Sequence, residues 1–194
     1  MTSVLTFADN ALIVAYLEGD EYAFQILVDR YQDRLVNYIH NLIHDYDQAV
    51  DLSQETFVRV FRHAHRYEGK YQFSTWIYRI ATNLALDEMR RRKRRGFFLT
   101  QRLFGNFDQG EVEYQVRDKR PSPEFDVTSK ERTRLLRIAI DSLPQPYRLV
   151  FILREVQELT LEDVASVLDL SMGTVKSRLH RAKRLLREKL AKVL

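Results

Sequence analysis

The sequence predicts an all-α protein made of two helical domains that an irregular linker joins. Apolar residues recur at intervals of three and four along most of the 194 residues, which is the period of amphipathic helices. Only 6 Gly and 4 Pro are present, too few for a turn-rich sheet protein. The period lapses between residues 96 and 130. We therefore predict a four-helix domain over residues 1–95, a linker over 96–130 and a second domain over 131–194.

The first two helices have clear end signals. Asp9 can cap a short helix, and Gly19 is suited to end it. Asp20 then begins a long amphipathic helix, whose apolar residues continue at helical spacing to about Ile43. One face of this helix must be buried.

A turn over residues 44–47 precedes the third helix. Val50, Phe57 and Phe61 form its apolar stripe, so we expect both phenylalanines to be buried. A break around Gly69 separates it from a fourth helix, which begins near Ser74 or Thr75 and ends in a run of cations at residues 90–95. Trp76 shares a face with the apolar residues of this helix, which favours core packing over a role as a wedge between bases.

The linker is unusually apolar for a free tether. It contains Phe97, Phe98, Leu99, Leu103, Phe104 and Phe107. These side chains can dock on the protein's own domains or on a partner, and the sequence does not decide between the two.

The second domain ends in a helix-turn-helix pattern. Thr160 and Asp163 can form a capping box for a short helix, Asp169 lies in the turn, and Ser171 can cap the last helix. Val175 is expected between the two helices. In such a motif the leading turns of the second helix face the major groove of DNA. The candidate contacts are Ser171, Thr174, Lys176, Ser177, Arg178, His180 and Arg181.

Composition and charge exclude several classes of protein. The chain has no cysteine, so it can form neither disulfides nor thiolate metal sites. No apolar run reaches the ~20 residues that cross a bilayer, and no signal-peptide pattern is present, so we expect a cytoplasmic protein without membrane insertion. The net charge of +4 and the two basic segments indicate a polyanionic partner.

Several segments resemble one protein family. The segment LTLEDVASVLDLSMGTVKSRLHRAKRLLREKL resembles region 4 of the sigma-70 superfamily, and GDEYAFQILVDRYQDRLVNYI, DLSQETFVRVFRH and FSTWIYRIATNLALDEMRRRKRR resemble successive parts of region 2. Their order and spacing are similar to those of extracytoplasmic-function sigma factors. Glu68 and Tyr71 depart from the residues that are frequent in the family.

The resemblance implies functions for particular residues. A surface for the clamp coiled coil of core RNA polymerase would include Asp51, Leu52, Gln54, Glu55, Phe57 and Phe61. The opened minus-ten element of the promoter would be bound by Tyr67, Tyr71, Phe73, Arg79, Asn83, Arg90 and Arg91. The helix-turn-helix would recognise the minus-thirty-five element as duplex DNA. The polymerase flap and an anti-sigma factor are further implied partners.

Two other classes of function compete with this interpretation. One is a DNA-binding regulator that acts without polymerase, although it leaves the DLSQETFVRVF segment and the aromatic loop unexplained. The other is a metalloenzyme that uses some of the five histidines, which are His40, His44, His63, His65 and His180. The histidine spacings lack the partners of known zinc motifs, and no phosphate-binding glycine loop is present. We therefore expect no catalytic residues, no metal and no cofactor.

Overall fold

The computed structural model describes the backbone of residues 8–104 and 127–191, with side chains for residues 8–95 and 133–191. All regular elements in these ranges are helical, as predicted. They are α1 (Asp9–Leu17), α2 (Glu21–Ile43), α3 (Tyr46–His63), α4 (Phe73–Phe104), α5 (Val127–Asp141), α6 (Gln145–Phe151), α7 (Leu161–Leu168) and α8 (Met172–Leu190). A short 3₁₀ turn, Ala64–Arg66, follows α3.

Helices α1 to α4 form the first domain. Its core contains Tyr38 and Tyr78, both fully buried, whose rings meet edge to face with centroids 5.1 Å apart. The Tyr38 hydroxyl is 2.7 Å from Thr82 Oγ1, so its polar end is satisfied inside the core. The long helices α2 and α4 are thereby held in a fixed register.

Side-chain caps set the starts of α2 and α3. The Asp20 carboxylate accepts hydrogen bonds from the backbone N–H groups of Tyr22 and Ala23 at the start of α2. His44 ends α2 with φ of 55°, and the Asp45 carboxylate then caps α3. Asp9 differs from its prediction, because Ala8 occupies the N-cap position and Asp9 lies in the first turn of α1. There its carboxylate pairs with Arg30 at 2.6 Å.

The buried face of α3 differs from the predicted stripe. Ala49, Ser53, Thr56 and Val60 point into the core, whereas Phe61 is 57% exposed and Phe57 is only half-buried. The prediction that both phenylalanines are buried was wrong for Phe61. The residues that face the core are small or carry a hydroxyl, so α3 can lie close to its neighbours. The predicted stripe considered hydrophobicity alone and therefore placed Phe61 on the wrong face.

Helix α4 is longer than predicted. It continues through Gly96 to Phe104, beyond the expected start of the linker at residue 96. One glycine inside a helix costs only about 1 kcal/mol, and the arginines and lysine that precede it are good helix formers. The linker's apolar residues have no described side chains, so their predicted docking lies outside the described residues.

Helices α5 to α8 form the second domain. Its apolar contacts include Ala139 of α5 and Leu143 just after that helix, which pack with Ala182 and Leu186 of α8. Helix α6 passes into a π-helical turn, Ile152–Val156, before α7. The second domain also packs on the first, with α7 against α4.

Candidate nucleic-acid interface

An aromatic loop before α4 encloses an open cleft of about 120 Å³. The cleft is lined by Arg66, Tyr67, Glu68, Gly69, Lys70, Tyr71 and Trp76. Tyr67 and Trp76 form one wall, with ring centroids 5.3 Å apart. Tyr71 is 45% exposed, and Lys70 Nζ lies 5.5 Å from its ring centroid. Aromatic faces beside cations are the surfaces on which unstacked nucleic-acid bases bind.

The loop is anchored by Asn10, a residue that sequence reasoning missed. Its Oδ1 accepts hydrogen bonds from the Tyr67 hydroxyl at 2.9 Å and from the Phe73 backbone N–H at 2.8 Å. The Tyr67 hydroxyl oxygen is also 2.6 Å from the Tyr71 carbonyl oxygen, so its single proton is shared between these two acceptors. Helix α1 therefore fixes the shape of the loop, and no local pattern around Asn10 indicates this contact.

The structure separates the residues predicted for the opened promoter strand. Tyr67, Tyr71 and the half-buried Trp76 line the cleft, and Arg79 and Asn83 are exposed one turn apart on α4. Phe73 is fully buried, with its ring centroid 5.5 Å from that of Tyr31. In this conformation Phe73 packs beneath the loop and presents no face to solvent.

The cations at the end of the first domain are largely paired. Glu88 is buried, and its carboxylate accepts from Arg91, from Arg92 Nε at 2.9 Å and from Arg95 at 3.2 Å. Arg92 also bonds the Asp45 carboxylate and the Ile43 carbonyl. Burial raises the pKa of Glu88, but the hydrogen bonds from Arg92 and Arg91 lower it overall.

Free cations in the basic run are therefore fewer than its composition indicates. Arg90 pairs with Asp87 at 2.8 Å, and three of the following arginines contact Glu88. Lys93 and Arg94 are exposed and make no ion pair with any described residue. Of this run, these two side chains are the most available for phosphate, whereas the sequence had indicated Arg90 and Arg91.

The outward face of α3 is mixed in character. Asp51 and Gln54 are exposed, Leu52 is half-buried, and Glu55 pairs with Arg59 at 2.8 Å. Beside them Val58 is 41% exposed, and the exposed Phe61 contacts the rings of Tyr16 and Phe24. An apolar strip bordered by carboxylates on a rigid helix is typical of a protein-binding surface.

The helix-turn-helix forms as predicted. Thr160 and Asp163 make a reciprocal capping box, Asp169 adopts the left-handed conformation with φ of 53°, and Ser171 Oγ accepts from the Thr174 backbone N–H. Val175 is fully buried, and Ala165 is half-buried against the core. The motif is therefore held by caps at the start of both helices and by an apolar contact between them.

The leading turns of α8 are open to solvent. Lys176, Ser177, His180 and Arg181 are exposed, and Thr174 and Arg178 are half-exposed. Lys176, Arg178 and Arg181 make no ion pair within the described part of the chain, whereas Lys183 pairs with Glu155 at 2.8 Å. Unpaired donors on the first turns of this helix are what major-groove recognition needs.

The histidines do not assemble a metal site. Among the described residues no group of three or more His, Cys, Asp or Glu side chains is placed to hold a metal ion. His40 and His44 instead face arginines of the second domain, and His63 and His65 lie 6.4 Å apart at the end of α3. No described helix is long and apolar enough to cross a membrane.

Comparisons with known proteins agree with this geometry. Residues 27–95 match the model of sigma-70 region 2, and residues 133–186 match that of sigma-70 region 4. The chain is 34% identical over 174 residues to the ECF RNA polymerase sigma factor SigW of Bacillus subtilis, which covers 89% of this chain and 91% of SigW. It is 32% identical to the ECF RNA polymerase sigma-E factor of Haemophilus influenzae, covering 94% of this chain and 95% of that protein.

The chain is an ECF sigma factor of the sigma-70 family. It is thus a promoter-directing subunit for RNA polymerase, as the resemblance of its segments to regions 2 and 4 implied.

Solved structures support the fold of this sigma factor. It is similar to CnrH in complex with the cytosolic domain of CnrY, with a TM-score of 0.69, 20% identity and coverage of 96% of this chain and 99% of CnrH. It is also similar to the sigma factor RpoE in complex with the anti-sigma factor NepR from Bartonella quintana, with a TM-score of 0.65 and 24% identity. This match covers 87% of this chain and 96% of RpoE. At these identities the likeness concerns the fold.

Proposed function

We propose that this sigma factor binds core RNA polymerase and contacts a promoter at two places. The first domain holds the minus-ten element as it opens, and α8 recognises the minus-thirty-five element as duplex. The observation that carries this proposal is the pairing, in one chain, of an open aromatic cleft with a helix-turn-helix whose leading cations are unpaired. The aromatic cleft can hold bases of an unstacked strand, and the helix-turn-helix can place its cations in a major groove.

Polymerase binding is assigned to the outward face of α3. Asp51, Gln54 and the exposed Phe61 lie on this face, with Leu52 and Phe57 at its half-buried edge and Glu55 held by Arg59. Phe61 is the apolar anchor, because large exposed aromatic side chains supply much of the binding energy at interfaces. Because Phe61 is exposed and not buried, it can contact a partner directly, which supports its assignment to this surface.

The minus-ten element is assigned to the aromatic cleft and the exposed side of α4. A base that leaves the stack can lie between Tyr71 and the wall formed by Tyr67 and Trp76. Arg79 and Asn83 continue the path along α4, and Lys93 and Arg94 can meet phosphates at its far end. Phe73 supports this site from below.

The chain itself is proposed to have no catalytic centre, metal or cofactor, because the relatives are sigma factors and the polymerase makes the RNA bonds. An anti-sigma factor is the proposed regulatory partner. Proteins of this fold have been solved with such regulators, RpoE with NepR among them. The outward face of α3 is the surface where we expect a regulator to compete with polymerase.

The test of the cleft is transcription in vitro by core polymerase with purified sigma factor. Tyr71→Ala should lower promoter-directed initiation by about 5- to 150-fold, since stacking on one base is worth about 1–3 kcal/mol. Tyr22→Ala is the matched control, because Tyr22 is also a large exposed tyrosine but lies at the start of α2, in a different part of the first domain. Equal activity of the two variants would contradict the cleft assignment.

The test of α8 uses Arg181→Ala on the same template. Loss of a direct base contact should cost about 1–3 kcal/mol and relax the base preference at one position of the minus-thirty-five element. Arg134→Ala, at an exposed arginine of α5, is the control. An unchanged preference for Arg181→Ala across a library of minus-thirty-five sequences would refute the assignment of this arginine.

A further inference from the structure

One side chain of α1 contacts the aromatic loop, residues 67–73, at both of its ends. Asn10 Oδ1 lies 2.9 Å from the hydroxyl oxygen of Tyr67, where the loop begins. The same atom lies 2.8 Å from the backbone nitrogen of Phe73, where the loop passes into α4. A single acceptor atom thus joins the first and the last residue of the loop, and the residues between them line the cleft.

The contact with Phe73 has its reason in the start of α4. The N–H groups in the first turn of a helix have no carbonyl partner within that helix, so they need acceptors from outside it. The Phe73 N–H finds its acceptor on another helix, in the Asn10 side chain. The amide oxygen of asparagine carries two lone pairs and can accept both hydrogen bonds at once. Asn10 therefore caps α4 and also fixes the point where the loop ends.

The contact with Tyr67 orients one wall of the cleft. The Tyr67 ring lies against Trp76 with centroids 5.3 Å apart, and it meets the buried Phe73 edge to face with centroids 6.4 Å apart. Burial raises the pKa of Tyr67 and Asp9 raises it further, so the hydroxyl keeps its proton and can donate to Asn10. The direction of the Tyr67 ring therefore depends on where α1 places the Asn10 amide.

Helix α1 is a firm support for these contacts. The Asp9 carboxylate pairs with Arg30 at 2.6 Å and accepts a hydrogen bond from the Tyr31 hydroxyl, which ties α1 to α2. Helix α1 also buries two apolar residues in the core of the first domain. Asn10 follows Asp9 directly in the chain, so its position is set by contacts that do not involve the loop.

We infer that Asn10 is a positioning residue for the minus-ten element, which acts through Tyr67 and Phe73 to hold the cleft in the shape that receives an unstacked base. This inference rests on the proposed function of the cleft and deepens it, because it assigns part of the base preference to a helix that does not line the cleft. The region 2 model matches residues 27–95, which include the loop and the start of α4 but not α1. Minus-ten recognition thus depends on a residue outside the matched region.

The first test uses the only tryptophan of the chain, Trp76, whose fluorescence reports the shape of the cleft. Asn10→Ala removes the shared acceptor, and alanine is the best helix former, so α1 itself is not weakened. In the free protein this variant should shift the Trp76 emission to longer wavelength and increase its quenching by acrylamide, because the loop no longer packs firmly on the indole. An unchanged emission and unchanged quenching would overturn the inference.

Two further variants separate positioning from a general loss of structure. Asn10→Asp keeps an acceptor oxygen at the same place, so its Trp76 signal should equal that of the unsubstituted chain. Gln32→Ala removes an exposed amide of α2 and should also leave the signal unchanged. Circular dichroism should show the same helix content for all three variants. A shift for Asn10→Asp as large as that for Asn10→Ala would overturn the inference, since the acceptor would then not matter.

Base selection by the holoenzyme tests the consequence for promoters. Core polymerase with the whole sigma factor transcribes two template libraries, one randomised in the minus-ten element and one in the minus-thirty-five element. Asn10→Ala should reduce the preference at one minus-ten position by about fivefold or more, the lower end of what stacking on one base supplies. The preferences in the minus-thirty-five element should stay unchanged. Asn10→Asp should keep the preferences at both elements.

The outcomes distinguish this inference from the proposed function. A full minus-ten preference in Asn10→Ala, together with its loss in Tyr71→Ala, would overturn the inference and leave the cleft assignment in place. An equal loss of preference at both elements in Asn10→Ala would also overturn it, because a general defect in structure would then explain the result. A full minus-ten preference in both variants would contradict the proposed function of the cleft itself.

Discussion

At the scale of single residues, the hub around Glu88 shows how a basic run can be structural. The buried carboxylate holds Arg91, Arg92 and Arg95, and Arg92 continues to the cap of α3 and the end of α2. These contacts join α4 to the end of α2 and to the start of α3. Composition shows the charge of this segment, but the pairing decides which cations remain for DNA.

This hub predicts different costs for neighbouring substitutions. Arg92→Ala should lower the free energy of unfolding by about 1–2 kcal/mol, because it removes three hydrogen bonds from a partly solvent-screened side chain. Arg94→Ala, at an exposed cation without a described partner, should change it by less than about 0.5 kcal/mol. Urea unfolding followed by circular dichroism measures both. Equal effects would show that the hub contributes nothing to stability.

At the scale of elements, the helix-turn-helix depends on its caps. Ser171→Ala removes the side-chain acceptor for the Thr174 N–H and should cost about 1 kcal/mol of stability. Ser171→Gly should cost only a few tenths of a kcal/mol, because glycine is tolerated at this position. Thermal unfolding of the two variants compares them directly. The reverse order would mean that the hydroxyl does not act as a cap.

The junction between α2 and α6 predicts a pH dependence. Burial lowers the pKa of His44; Asp141 of α5 raises it, and Arg148, His40 and Arg137 lower it further. The net pKa lies below the ordinary 6.5, so neutral His44 accepts the hydrogen bond from Arg148. The contribution of His44 is then complete above about pH 6.5 and is lost as pH falls through its lowered pKa.

Urea unfolding at pH 8 and at pH 5.5 measures this effect. The free energy of unfolding should fall on acidification, by less than about 1.4 kcal/mol per pH unit because one proton is taken up. His44→Asn keeps an acceptor oxygen and tolerates the left-handed backbone at φ of 55°, but it cannot titrate in this range. The variant should show a flatter profile, and an identical pH dependence would assign the effect to another group.

At the scale of the whole molecule, the number of unpaired cations sets the salt dependence of promoter binding. Promoter binding by the holoenzyme should weaken steeply with salt, since each phosphate contact releases counterions. Lys93→Ala and Arg94→Ala should each reduce the slope of log affinity against log salt by about 1, and Arg92→Ala should reduce it less. Filter binding from 50 to 200 mM salt measures the slopes. Equal reductions for all three would show that the Glu88 hub does not withhold Arg92 from DNA.

Much of this protein followed from local sequence. Helical periods gave the all-α class, α2 begins at Asp20 as expected, and Thr160 and Ser171 act as the caps that their positions predicted. The helix-turn-helix is a local motif, so its residues can be named from spacing alone. The errors were also local: Phe61 was placed inside because it lay on the predicted apolar stripe, and α4 was expected to end in the cation run at residues 90–95.

Other features depend on residues that meet only after folding. Asn10 reaches the aromatic loop 57 and 63 positions later, and Gln157 meets Tyr78 across 79 positions. The spacing of apolar residues along one helix indicates which face is apolar, but not which distant acid or amide will lie against that face. Local sequence therefore determined the helices and their candidate surfaces. Only the tertiary structure decided which cations are paired and that the two domains pack on each other, because both depend on contacts between segments far apart in the chain.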